Sequence, residues 1–100
     1  MDKTPLEAIK KLDPAFFDRV GQIRAQVFQD GALPAKTKLL IAMALDAAAG
    51  TSTGVASLAR QAMQKGATRE EISEALQVTH YINGVGSVYT ASAGLSEVLP

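Results

Sequence analysis

The sequence predicts an all-α protein, a compact bundle of about five to six helices around one central apolar helix, with a helix–turn–helix corner at Gly66. Three observations lead there. Lys65-Gly66-Ala67-Thr68-Arg69-Glu70-Glu71-Ile72 reads as a helix end, a tight turn and a new helix start. Apolar residues recur three and four apart in several segments, and no strand-like alternation appears. Leu39 to Leu45 is apolar in every direction around a helix axis.

In chain order, residues 1–12 are expected to form a short helix, with Thr4 as its cap and Pro5 at its first position. Asp13-Pro14 repeats that signal. Phe16, Phe17, Val20, Ile23, Val27 and Phe28 then follow at helical spacing and predict one apolar face, ended by Asp30-Gly31. Gly21 weakens this helix by up to about 1 kcal/mol relative to Ala. Leu33-Pro34 opens the central helix, predicted over Pro34–Ala49. A helix apolar all round must be covered on all sides. A chain of 100 residues has little material to do that alone, so self-association is expected.

Gly50 ends the central helix, and Thr51, Ser52 and Thr53 are all competent N-caps. Val55, Leu58, Ala59, Ala62 and Met63 mark an amphipathic helix that closes at Gly66, where a residue without Cβ suits the left-handed conformation. Thr68 and Glu71 have capping-box spacing, and losing the Thr68 cap should cost about 1 kcal/mol. Ile72, Ala75, Leu76 and Thr79 form the next buried stripe. Asn83-Gly84-Val85-Gly86 interrupts the chain, and Val88, Tyr89, Ala93 and Leu95 indicate a last helix.

Length and the absence of repeats predict one domain, 1–100. Ten basic and ten acidic residues cancel, which disfavours nucleic acid as a partner. Binding of DNA by the corner is further opposed by Glu70, Glu71 and Glu74 on its second helix, which would face phosphates. With no cysteine, disulfides, thiolate metal sites and thiol catalysis are excluded. The N-terminal residues lack the apolar run of a signal peptide, and Leu39–Leu45 is too short to span a bilayer. A cytoplasmic protein without membrane contact is expected.

The stretches LPAKTKLLIAMALDAA (33–48) and LARQAMQKGATREEISEAL (58–76) resemble the carboxymuconolactone decarboxylase and alkylhydroperoxidase D superfamily. The similarity runs from about Phe17 to Val98 and is most specific over Ala62–Leu76. The resemblance implies an all-helical fold of the alkylhydroperoxidase D-like type, assembled as a homotrimer or homohexamer with helices exchanged between subunits. The family's redox branch resembles a thiol peroxidase, with Cys-x-x-Cys-x-x-x-His at the start of the helix before the corner and a glutamate on the preceding helix. Counting back from Gly66, those positions hold Thr51, Gly54, Leu58 and Leu39. None can replace what it displaces. A threonine hydroxyl is far too weak an acid to act as the nucleophile without a base, and Leu58 is inert. Thiol peroxidase chemistry is therefore excluded. The decarboxylase branch, which acts on a small carboxylated lactone, lacks the cysteine pair but generally keeps the histidine that Leu58 replaces.

The remaining polar candidates each carry two readings. His80, the only histidine, is either a general acid or base or a residue satisfied at a helix C-terminus. Asp46 is either a buried carboxylate partnered by Arg60 or a group on the solvent side of its helix. Thr51-Ser52-Thr53-Gly54 either holds an anion on free N–H groups or caps its helix in the ordinary way. Lys36 and Lys38 read as a solvated face, and Tyr89 as an interface or core residue. One histidine with scattered carboxylates gives no metal-ligand spacing, and no cofactor is expected. Two functions follow. One is binding or conversion of a small carboxylate- or lactone-like molecule near Leu39, Thr51, Gly54 and Leu58, with His80 or Asp46 supplying polarity. The other is a non-catalytic oligomeric scaffold or regulator with a degenerate site.

Overall fold

The computed structural model describes residues 6–100. They form six helices and no strand: α1 (Glu7–Leu12), α2 (Pro14–Val27), α3 (Ala35–Ala49), α4 (Ser52–Gln64), α5 (Arg69–Asn83) and α6 (Gly86–Leu95). The body is α3–α6, with α3 packed on α4, α5 and α6. The hairpin α1–α2 is joined to it by few contacts.

The expected cap at Thr4-Pro5 lies outside the described residues; α1 starts at Glu7, with Leu6 at its N-cap position. Asp13 does cap α2, its carboxylate accepting from the Phe16 N–H at 3.1 Å. The single apolar face expected of α2 is in fact two. Neighbouring residues point about 100° apart on a helix, so Phe17 and Phe28 cannot share a face with Phe16 and Val27. Phe28 packs against Leu39, Ala62 and Ala67, and Arg24 Nη2 donates to Gln61 Oε1 at 2.6 Å. Ile23, on the other face, is 60% exposed.

α3 begins one residue later than expected. Its first free N–H, on Ala35, donates to Asp30 Oδ1 at 2.7 Å, so the acceptor comes from five residues upstream. Ala35, Leu39, Met43 and Ala47 are buried as a single stripe, while Leu45 is 65% exposed. Met43 and Val55 are the largest fully buried side chains, meeting Ala47, Ala59, Ile72 and Ala91 in the main core. A side chain of that size contributes about 1.5–3 kcal/mol when buried.

Gly66 closes α4 with φ +96°. Thr68 Oγ1 accepts from the Glu71 N–H at 3.1 Å, and Glu71 Oε1 accepts from the Thr68 N–H at 2.9 Å, completing the capping box. Lys36 and Lys38 are fasteners, not a free solvated face. Lys36 Nζ lies 3.0 Å from Glu71 Oε2, tying α3 to the start of α5, and Lys38 Nζ donates to the Gln29 carbonyl at 2.7 Å.

The last helix forms where expected but buries other residues. Ser87, Ala91 and Gly94 face the core, whereas Val88 and Tyr89 point outward, Tyr89 at 75% exposure. The cause is steric: a Cβ on Gly94 would stand 2.5 Å from the Ser52 carbonyl oxygen. α6 therefore approaches α4 along its smallest residues, and its larger apolar side chains fall elsewhere.

Candidate functional site

The family-site positions occupy the α3–α4 corner and the core beneath it. Leu39 is buried against Ala62 and Ala67, and half-buried Leu58 packs on the same cluster and on the main core. The structure thus brings Leu39 and Leu58 together as hydrocarbon. Thr51 is exposed at the N-cap position of α4 and makes no side-chain cap hydrogen bond. Gly54 is half-buried on the first turn of α4, directly under the carboxylate of Asp46; a Cβ on Gly54 would lie 2.7 Å from Asp46 Cγ.

That contact explains Asp46. Its backbone carbonyl accepts from the Thr51 N–H at 2.9 Å, after Gly50 turns the chain at φ +83°. Its side chain then folds over the positive end of α4, where a carboxylate is favoured. Arg60 is not its partner: the one ion pair among the described residues joins Lys36 to Glu71. The helix entrance at Thr51–Gly54, considered as a place for a ligand's anion, already has a carboxylate from the chain itself against it.

The structure perturbs the titration of Glu71. The Thr68 backbone N–H donating to its carboxylate, and then the Lys36 ammonium, hold its carboxyl below the usual carboxylate range.

His80 lies elsewhere, on an exposed face of α5. It lines a groove of about 560 Å³ between α5, α6 and the C-terminal residues. Ile72, Leu76, Val88, Leu95 and Leu99 give this groove an apolar floor. Arg69, Ser73, Gln77 and His80 form its polar wall, and no carboxylate lines it. Arg69 and His80 are eleven residues apart on one helix, hence about 16 Å along its axis. Thr51, Gly54, Leu58 and Asp46 do not contribute to this groove. His80 stands out in the sequence as the only histidine, whereas Arg69 does not stand out by residue type. The signal was there, because residues 69, 73, 77 and 80 fall on one helical stripe. The opposite wall, built from α6 and Leu99, depends on tertiary packing.

A second groove, of about 490 Å³, runs between α3 and α5. It is almost wholly apolar, with Ile41, Leu45, Val78 and Ile82 along it. Among the described residues no group of three His, Asp or Glu side chains converges as a metal site would require. None of the described helices is long and apolar enough to cross a membrane.

These features define an all-helical, cysteine-free protein whose four-helix body turns on a capped glycine corner. The chain belongs to the carboxymuconolactone decarboxylase family, which its residues 14–97 match. An uncharacterized protein of Methanocaldococcus jannaschii is 29% identical over 93 residues, covering 93% of this chain and 87% of the relative. An uncharacterized protein of Cupriavidus necator is 33% identical over 87 residues, covering 86% and 77% respectively. Among solved structures, the apo form of a carboxymuconolactone decarboxylase family protein from Legionella pneumophila superposes with a TM-score of 0.84. It is 32% identical in sequence, with 93% of this chain and 83% of that one covered.

Proposed function

We propose that this protein is a cytoplasmic homo-oligomer, a trimer or a hexamer, that binds a small molecule carrying a carboxylate or lactone on an apolar body, without thiol peroxidase chemistry. The chief support is the α5–α6 groove, which offers an apolar floor, a guanidinium at one end of its polar wall and an imidazole towards the other. Arg69 has the planar fork that grips a carboxylate with two parallel hydrogen bonds. Leu76 and Leu95 accept the apolar body, while His80, about 16 Å further along α5, stands beyond the reach of a small molecule gripped by Arg69. The groove is preferred to the family positions Leu39, Thr51, Gly54 and Leu58 because Asp46 would repel an anion there. Self-assembly is supported by the large apolar side chains that one protomer leaves in water, Leu45 and Ile82 among them.

The test is thermal denaturation with a panel of carboxylates, lactones and aromatic acids. A ligand present at a hundred times its Kd adds about 2.7 kcal/mol to stability and raises Tm. Arg69→Ala should abolish that rise without lowering the ligand-free Tm. A panel in which no compound raises Tm would leave the scaffold or regulator reading in its place.

A further inference from the structure

Arg69 and His80 mark the two ends of the α5–α6 groove, and what lies between them on the same line is hydrocarbon. Successive residues turn by about 100° on a helix, so Arg69, Leu76 and His80 fall within about 40° of one another on α5. A line from the guanidinium to the imidazole, about 16 Å long, therefore passes over a leucine. Ser73 and Gln77 are turned about 40° and 80° to one side of Arg69, and Ile72 about 60° to the other. Side chains on a helix all lean towards its N-terminus, so the lean moves Arg69 and His80 alike and preserves their spacing.

The charge is one-sided. Among the described residues the one ion pair joins Lys36 to Glu71, so no carboxylate engages the Arg69 guanidinium. Glu70 and Glu74 lie about 100° and 140° round α5 from Arg69, and neither lines the groove. The α3–α5 groove, of about 490 Å³, is lined by no charged side chain. An anionic head is thus drawn to one groove and not to the other. A compact acid held by Arg69 leaves His80 and much of the apolar floor to water. An extended carbon chain advances about 1.25 Å per bond, so about twelve to fourteen carbons span the distance between the two polar ends.

We propose that the groove takes a straight-chain carboxylate of about twelve to fourteen carbons with a second oxygen function at its far end. The carboxylate sits on Arg69, the methylenes lie over Leu76, and the far oxygen accepts from the His80 N–H. This rests on the carboxylate-binding reading above and gives the apolar body a length and a shape.

The test is equilibrium dialysis of the protein against α,ω-dicarboxylates and monocarboxylates of about six to sixteen carbons. Affinity is expected to rise about two- to fourfold per methylene and to peak at about twelve to fourteen carbons. At the peak the dicarboxylate should bind several-fold tighter than the monocarboxylate of equal length. His80→Ala should abolish that advantage and leave the monocarboxylate's Kd unchanged. Arg69→Gln should weaken both by about tenfold or more. Both side chains are exposed, so neither variant should alter the helical circular dichroism. Affinity that ignores chain length, or a dicarboxylate advantage that survives His80→Ala, overturns the proposal while carboxylate binding at Arg69 stands. No binding by any chain overturns it as well, and a thermal panel equally without effect takes the earlier reading with it.

Discussion

Gly94 of α6 sits against Val55 of α4 so closely that a Cβ built on the glycine would stand 2.8 Å from the valine's own Cβ. The Ser52 carbonyl oxygen is nearer still, at 2.5 Å, and belongs to the backbone, so it cannot swing aside. Gly94→Ala must therefore push α6 away from α4. Overpacking costs about 1–3 kcal/mol, and the better helix propensity of alanine returns up to about 1. A net loss of about 1–2 kcal/mol is expected, a Tm drop on the order of 5–10 °C. Urea denaturation at fixed protein concentration measures it, and an unchanged midpoint would refute the close packing.

Gly21 provides the opposite case. It lies inside α2, and a Cβ there would meet nothing within 4 Å. Its backbone is not in the left-handed region. Gly21→Ala should stabilise by about 0.5–1 kcal/mol, by helix propensity and by restricting the unfolded chain. Residue 21 falls on neither the face that carries Ile23 nor a core contact, so the mass in solution by light scattering should not change. A lower Tm would show a neighbour that the single chain does not reveal.

These two glycines show what the sequence made legible. Local rules were readable: the Asp13 and Thr68 caps, the Gly66 turn and the Ile72–Thr79 stripe depend on residues within four positions of one another. Features requiring distant parts of the chain were not. Nothing local says that α6 will bury Ser87, Ala91 and Gly94 rather than Val88 and Tyr89, because α4 makes that choice from thirty-odd residues away. The acceptor for α3 hid across a loop at Asp30. Lys36 looked like a solvated charge until α5 placed Glu71 beside it. Of the candidate site, His80 was visible and so was the polar stripe that includes Arg69, but the apolar floor appears only when α6 and Leu99 fold over α5.

Glu71 links the corner to pH. Its carboxyl titrates below its ordinary value of 4.5, held there by the Thr68 N–H and by Lys36. A carboxyl whose folded pKa is depressed adds stability that is present above the unfolded value and lost as pH falls through the lower folded one. Glu71→Gln keeps the length of the side chain and removes the charge. The variant should melt below wild type at pH 7, with the gap closing as pH falls below about 4.5. A gap that persisted into acid would show that the charge is not its source.

Asp46 and Gly54 should be coupled, and the coupling separates two effects that either variant alone would mix. Removing the carboxylate from the start of α4 (Asp46→Ala) forfeits about 0.3–1 kcal/mol of interaction with the helix's positive end. Placing a methyl at 54 while Asp46 is present forces that carboxylate out, since the new Cβ and Asp46 Cγ would be 2.7 Å apart. Gly54→Ala then gains helix propensity, up to about 1 kcal/mol, but loses the carboxylate's contact and lands near neutral. With Asp46 already cut to alanine there is nothing left to displace, so the same glycine substitution should stabilise. The double-mutant cycle should close with an interaction of about 0.5–1 kcal/mol, well outside what non-touching sites show. High salt should weaken the cost of Asp46→Ala, because the dipole interaction is screened. Simple additivity would mean that Asp46 leaves the helix end free in solution, and the corner would again be open to a ligand's anion.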